Sequence, residues 1–231
     1  MCEAFRRNNF IEPEAFALYG VKRGLRNPDG TGVLAGLTKI SNVHGYVVSD
    51  SVRVPDKGGL TYRGIDVTEI VEGCIASGRF GFEEVVWLLL TGELPTAKQL
   101  ESLHNVLSYY RELPENFAED MILKAPSANI MNKLARSVLA LYSYDDNPDD
   151  TSLENSLRQS FQLIARLPAI MTYAYQVKRR RYDHESMFFH PVDPDETIAE
   201  SILDAIRPDR KYTPEEAHLL DLCMVLHAEH G

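Results

Sequence analysis

Residues 60–95, LTYRGIDVTEIVEGCIASGRFGFEEVVWLLLTGELP, contain the change of pattern that decides the fold class. The stretch opens with Leu60–Arg63, where β-branched and aromatic residues beside a glycine predict a short strand. Asp66 and Glu69 then form a D-x-x-E signal for a helix start, and Gly78 ends that helix. The chain therefore passes from strand to helix within a few residues.

A further strand is predicted before this stretch, and only helices are predicted after it. Upstream, Leu37–Val43 predicts a second short strand that could pair with Leu60–Arg63, and no further strand is indicated. Downstream, apolar residues recur at helical spacing in each segment. The predicted helices cover Phe82–Thr91, 96–113, 127–141, 152–181, 195–206 and 213–229. The fold class that follows is mainly α, with many helices and a short N-terminal β element.

Composition narrows the class of partner and compartment. The 231 residues carry 24 Lys and Arg against 34 Asp and Glu, and a net charge of −10 argues against nucleic acid or an anionic membrane as the main partner. Cys2, Cys74 and Cys223 form no C-x-x-C pair, so neither a disulfide framework nor a zinc site is indicated. The apolar run Val85–Leu90 is far shorter than the ~20 residues that span a bilayer. A reducing cytoplasm is the expected location.

The last predicted helix delivers titratable side chains at its end. Apolar residues surround nearly the whole axis of Leu219–Leu226, which predicts a helix buried on most sides. At about 100° per residue, His230 continues the face of Leu219 and Leu226, and His227 lies about 60° away. The sequence therefore places two imidazoles at the mouth of a core helix.

Three interpretations of His227-Ala228-Glu229-His230 remain open on spacing alone. The two histidines could be core residues that bond to backbone carbonyls. A metal site is a weaker interpretation, because the H-E-x-x-H spacing and a third nearby ligand are missing. An anion site is the third, since a histidine at a buried helix end can donate to a carboxylate and change charge near neutral pH.

Two further basic features have a structural and a binding interpretation. Lys178–Arg181 could contact nucleic acid or a phosphate-rich cofactor, but a cationic helix C-terminus opposing the helix dipole is favoured. Arg63 could bind an anion, but a structural role is favoured, in which it pairs with a carboxylate and fixes the strand to a helix. Dinucleotide-binding, phosphate-loop and α/β-hydrolase motifs are not present in the sequence.

Several separate segments resemble one family, the citrate synthases. Gly36–Ser41 and Leu60–Val67 resemble the family's opening β element and its "LxYRG" text, and Val86–Pro95 is similar to its next helix and "GELP" stop. Ile164–Ile170 resembles the "AKLP" region of its long helix. Leu222–His230 resembles its "LILHADHE" segment. These motifs occur in the family's order over nearly the whole chain.

The resemblance implies a fold, a division into domains and an activity. It implies an N-terminal arm at residues 1–31 and, at 32–231, part of a large helical domain, without the small domain and the C-terminal part. It implies an acyltransferase of the tricarboxylic acid cycle that condenses acetyl-CoA with oxaloacetate and hydrolyses the thioester to citrate and CoA. It also implies a cytoplasmic homodimer, with the helices at 128–144 and 152–181 in part of the contact, and no cofactor or metal, because acetyl-CoA is a substrate.

The site residues carried over by the resemblance are few. The second histidine of the family motif contacts oxaloacetate, and the resemblance assigns this role to His230. His227 is expected to have a structural role next to it, without contacting the substrate. The family's aspartate base and its two catalytic histidines have no counterpart in this sequence, so no catalytic residue is assigned. The 231 residues alone are therefore expected to be inactive. The alternatives are a 2-methylcitrate synthase and a non-catalytic helical dimerisation module.

Overall fold

The computed structural model describes residues 1–19, 21, 36–50 and 52–229. Helices dominate these residues and a small sheet accompanies them, which confirms the mainly α fold class. The elements in chain order are α1 (Cys2–Asn9), α2 (Pro13–Leu18), β1 (Ser41–Ser49), β2 (Val52–Tyr62), β3 (Ile65–Asp66), α3 (Val67–Ser77), α4 (Phe82–Thr91), α5 (Ala97–Tyr110), a π-helix (Ala118–Leu123), α6 (Ile130–Leu141), a 3-10 turn (Tyr142–Tyr144), α7 (Leu153–Tyr182), α8 (Ile198–Ile206) and α9 (Pro214–Leu226).

The sheet is antiparallel with the strand order β1-β2-β3. The predicted pairing of the first two strands is confirmed, and Ser41 lies opposite Tyr62. Both strands extend further towards the hairpin tip than predicted. The two-residue strand β3 was not predicted, because two residues carry no periodic signal. Arg63 and Gly64 connect β2 to β3 with φ angles of 52° and 85°, the conformation of a tight hairpin turn of the I′ class.

Helix boundaries follow the capping residues closely. The Asp66 side chain accepts a hydrogen bond from the Thr68 backbone at 2.8 Å, and Gly78 ends α3 in a left-handed conformation. Thr96 and Gln99 form a reciprocal capping box at the start of α5. These predicted boundaries are confirmed because each depends on contacts within a few residues.

Other boundaries differ from the prediction. Helix α6 starts after Asn129, whose side chain accepts a hydrogen bond from the Asn132 backbone at 2.9 Å. The Ser127 hydroxyl donates to the Asn129 carbonyl in the turn before the helix. Helix α8 starts after Thr197 in a second capping box, later than the predicted Asp195. Neither α1 nor the π-helix was predicted. Helix α7 continues through Pro168 over 30 residues.

The described residues divide into two compact units, one within Met1–Pro95 and Val225–Gly231, the other Thr96–Met224. In the second unit α7 packs against α5, α6, α8 and the π-helix. Its apolar core consists of Phe117, Ile122, Leu141, Ile170, Ala174 and Val177. The predicted boundary between an arm and a helical domain, at residues 31 and 32, lies outside the described residues.

An acidic turn at 145–150 lies between α6 and α7 inside the second unit. Asp145 accepts hydrogen bonds from Arg158 and from Gln159, the latter at 3.0 Å. Burial raises the pKa of Asp145, but the hydrogen bonds from the Asn147 backbone and from these two side chains outweigh it and hold the pKa below its usual value. The turn is therefore a fixed connection between two packed helices.

Candidate functional site

The candidate site is the turn that follows α9. The helix starts as predicted, because the Thr213 side chain accepts from the Glu216 backbone at 3.2 Å and the Glu216 carboxylate accepts from the Thr213 backbone at 2.8 Å. It ends at Leu226, three residues before the predicted end, so His227 lies in a turn. His230, the predicted substrate histidine, lies outside the described residues.

The prediction that α9 is buried on most sides was wrong. Ala217, Asp221 and Val225, spaced four residues apart, are 0–2 % exposed. On the opposite side Leu219 and Leu226 are 64 % and 47 % exposed. One narrow stripe faces inwards, because four-residue spacing keeps these side chains on a single face of the helix.

Tyr62 fixes the turn at both ends. Its hydroxyl donates to the Val225 carbonyl at 2.8 Å, and the Glu229 backbone N–H donates to the same hydroxyl at 3.4 Å. Within the turn, the Ala228 N–H donates to the Val225 carbonyl at 3.3 Å. The Tyr62 side chain is completely buried. One phenol from the end of β2 therefore sets the backbone on each side of His227.

Ser41 adds a second contact from the neighbouring strand. Its hydroxyl donates to the Glu229 carboxylate at 3.2 Å. Because Ser41 and Tyr62 are partners in the β1–β2 ladder, the two hydroxyls reach the turn from adjacent positions. His227 itself is exposed. The arrangement fixes the turn and leaves an imidazole accessible to solvent.

The electrostatics keep Tyr62 in its neutral form. Burial raises the pKa of the phenol above its usual value, and the nearby Glu229 carboxylate also raises it. The backbone hydrogen bond from Glu229 acts in the opposite direction. A neutral phenol can donate one hydrogen bond and accept another, which is the role that Tyr62 has here.

Arg63, the next residue, has the structural role that the sequence favoured, with different partners. Its guanidinium group donates to the Leu89 carbonyl at the end of α4, with Nε at 3.0 Å, and to the Asn9 side-chain oxygen at 2.7 Å. The prediction that Arg63 pairs with a carboxylate was wrong, because its acceptors among the described residues are carbonyl and amide oxygens. The last carbonyls of a helix lack partners within it and are suitable acceptors for a cation.

The hydrogen bonds of Tyr62 and Ser41 to the turn were not predicted from the sequence. In the segment Tyr62-Arg63-Gly64, only Arg63 was considered as a functional residue. The usable signal was a tyrosine at a strand end, since a buried phenol requires a hydrogen-bond partner. That partner lies 163 residues away, and local patterns do not reveal it.

The described residues lack the features of a metal site and of a membrane-spanning helix. No group of three or more His, Cys, Asp or Glu side chains is placed to hold a metal ion there. Among the helices of this part of the chain, none has the length and apolarity to cross a membrane.

Comparison with known proteins covers almost the whole sequence. The family model described as "Citrate synthase, C-terminal domain" matches residues 25–231. The chain belongs to the citrate synthase family. This family is one of acyltransferase enzymes.

Curated relatives of the chain include synthases of two kinds. A citrate synthase of Haloferax volcanii is 29 % identical over 91 % of this chain and 49 % of its own length. A 2-methylcitrate synthase of Corynebacterium glutamicum is 28 % identical over 87 % of this chain and 48 % of its own. The chain thus spans about half the length of these relatives.

Solved structures give the same family and fold. The citrate synthase of Pyrobaculum aerophilum matches with a TM-score of 0.70 and 28 % identity, over 91 % of this chain and 51 % of that one. The citrate synthase of Thermoplasma acidophilum, solved as a ternary complex with carboxymethyl coenzyme A and oxaloacetate, matches with a TM-score of 0.65 and 23 % identity, over 85 % of this chain and 46 % of that one. The second likeness shows the fold alone.

Proposed function

We propose that this chain supplies the oxaloacetate-binding histidine segment of an enzyme that condenses acetyl-CoA with oxaloacetate to give citrate and CoA. The observation that carries the proposal is the turn held by Tyr62, which directly precedes His230 in a segment that matches the family motif. The Haloferax volcanii relative, a citrate synthase 29 % identical to this chain, supports this choice of reaction.

The chemistry assigns different tasks to the two histidines. Oxaloacetate carries two carboxylates, and a protonated or N–H-bearing imidazole can donate to one of its oxygens. His230 has this role in the proposal. His227, in the turn fixed by Tyr62, supports the backbone conformation that presents His230.

An assay of the full-length protein tests the assignment. CoA release would be followed with a thiol reagent while oxaloacetate and the acyl-CoA are varied separately. His230→Ala should raise KM for oxaloacetate about tenfold or more, the loss expected for a hydrogen bond to a charged group. The KM for acetyl-CoA should change much less. Equal effects of His230→Ala and His227→Ala on oxaloacetate would contradict the assignment.

Propionyl-CoA is the second substrate to test, because a 2-methylcitrate synthase is among the relatives. A higher kcat/KM with propionyl-CoA would replace the first proposal by this one. Residues 1–231 alone should release no CoA above the blank. Removing a methyl proton beside a thioester needs a positioned base and a donor to the enolate, and one histidine segment supplies neither.

We further propose that α6 contributes to a homodimer. Met131 and Leu139 lie on one side of this helix, and Tyr142 directly follows its end. These three side chains are 74 %, 76 % and 55 % exposed. Lys133 and Ser137, on the opposite side, are buried. Large apolar side chains grouped on the solvent side of a helix are typical of a subunit contact.

Light scattering coupled to size-exclusion chromatography tests the dimer. Leu139→Glu should reduce the dimer fraction at a given concentration, because it places a charge in an apolar contact. Leu94→Glu is the matched control, at a leucine that is 52 % exposed outside α6. A monomer in the unmodified protein at high concentration would refute the proposal.

A further inference from the structure

A basic pocket lies in the second compact unit and has no task in the proposed reaction. Its volume is about 340 Å³. Lys124, directly after the π-helix, lines it together with Arg180 and Arg181 from the last turn of α7. None of the residues that line it is acidic, although the chain as a whole carries a net charge of −10.

The neighbouring cations are already neutralised. Lys178 pairs with Asp183 at 2.8 Å, and Arg179 pairs with Glu185. Within the described part of the chain, neither Arg180 nor Arg181 has an ion pair. These two guanidinium groups therefore retain their charge at the pocket wall, beside a lysine that interacts with Asp120.

The helix dipole explains only part of this arrangement. It favours cations anywhere around the last turn of α7. It gives no reason for Lys124, from a different element, to line the same pocket. The π-helix that ends before Lys124 is a rare conformation, and such segments occur frequently at functional sites.

The remaining wall of the pocket is apolar. Leu123, Pro126 and Met187 contribute to it, and Val177 closes it from the core. Pockets for small molecules usually measure about 300–1,000 Å³ and combine apolar walls with a few polar groups. The observed volume fits a ligand the size of a mononucleotide better than an extended polymer.

We propose that this pocket binds a small organic phosphate. The phosphate group would accept hydrogen bonds from Arg180 and Arg181, whose planar forks match phosphate oxygens in a bidentate manner. The apolar or aromatic part of the ligand would lie on Leu123, Pro126 and Met187. The proposal goes beyond the proposed synthase function and does not depend on it.

Isothermal titration calorimetry on the 231-residue chain tests the proposal at low ionic strength. Adenosine 5′-monophosphate, inorganic phosphate and adenosine are the three probes. The monophosphate should bind about tenfold more tightly than either of the other two, because it alone has both parts of the ligand. Raising the salt concentration should weaken its binding.

Two double variants test whether the ligand binds in this pocket. Arg180→Ala/Arg181→Ala should lower the affinity for adenosine 5′-monophosphate about tenfold or more. Lys98→Ala/Lys211→Ala removes the same charge from exposed positions of the same unit and should change the affinity less than about twofold. Circular dichroism would establish that both variants are folded.

Three results would overturn the proposal. Equal losses in the two double variants would assign the binding to net charge. Equal affinities for inorganic phosphate and the monophosphate would remove the role of the apolar wall. Absence of binding by the unmodified chain would refute the site altogether, whatever the synthase assay shows.

Discussion

Each compact unit contains an arginine whose guanidinium group donates hydrogen bonds to backbone carbonyls. In the first unit Arg63 donates to the end of α4 and is half-buried. In the second unit Arg111 donates to the carbonyls of Asp193 at 2.8 Å and Glu196 at 2.7 Å and is only 3 % exposed. In both units, backbone carbonyl oxygens accept hydrogen bonds from the guanidinium group. Among the described residues, Arg63 has no carboxylate partner.

The two arginines differ in what they hold. Arg63 bonds to the carbonyl end of a regular helix, where unpaired acceptors always occur. Arg111 donates to carbonyls of the segment before α8. These carbonyls belong to no helix, so no regular element fixes their positions. Arg111 therefore holds a loop, whereas Arg63 joins the β2–β3 turn to the end of α4. Substitutions at the two positions should therefore have unequal effects.

The largest effect is expected at Arg111. Arg111→Met keeps a long apolar stem but leaves two loop carbonyls without their donor, which should lower the free energy of unfolding by about 3 kcal/mol. Urea unfolding followed by circular dichroism would measure it. Arg136→Met, on the exposed side of α6, is the control and should stay within about 0.5 kcal/mol. Similar losses at both positions would remove the special role of Arg111.

A smaller effect is expected at Arg63. Arg63→Gly loses the guanidinium bonds but relieves a positive φ of 52°. The net loss in unfolding free energy should be about 1–2 kcal/mol. Gly64→Ala separates the two contributions, because it keeps the bonds and introduces strain at a φ of 85°, at a cost of about 1 kcal/mol. A loss at Arg63 that exceeds the loss at Arg111 would reverse the comparison.

The smallest effect concerns the Glu196 side chain, beside the carbonyl that Arg111 binds. Burial raises the pKa of this carboxyl group above its usual value, and Asp204 raises it further. The stabilising contribution of the protonated form is present below the unfolded-state pKa and is lost as the pH rises through the folded-state pKa. Glu196→Gln should thus stabilise the second unit at neutral pH.

Urea unfolding at pH 4 and pH 7.5 would measure the Glu196 effect, with the variant's advantage expected only at the higher pH. The amide oxygen of the variant can still accept the hydrogen bond that Tyr212 donates at 3.1 Å. Glu200→Gln removes the same charge from the α8 capping box, where the amide oxygen can still accept. It loses the favourable interaction of the carboxylate with the helix dipole and should destabilise slightly instead. An advantage of Glu196→Gln that is equal at both pH values would contradict the titration.

Local chemistry explains which parts of this fold could be predicted. Asp66, Gly78, Thr96 and Thr213 define helix ends through partners within a few residues, and their positions in the sequence were sufficient. The π-helix and helix α1 lack such signals. Arg111 and Tyr62 depend on partners 82 and 163 residues away. The turn at His227 could be predicted as a feature of interest, but its support from β2 could not.

The bond between Tyr62 and Val225 also constrains the order of folding during synthesis. A ribosome that adds about 5–20 residues per second needs roughly 10–30 s to extend the chain by the 163 positions from Tyr62 to Val225. Throughout that interval the phenol of Tyr62 must remain hydrated or find a temporary acceptor. The strands can form early, but the histidine turn takes its final shape only when translation has passed Glu229.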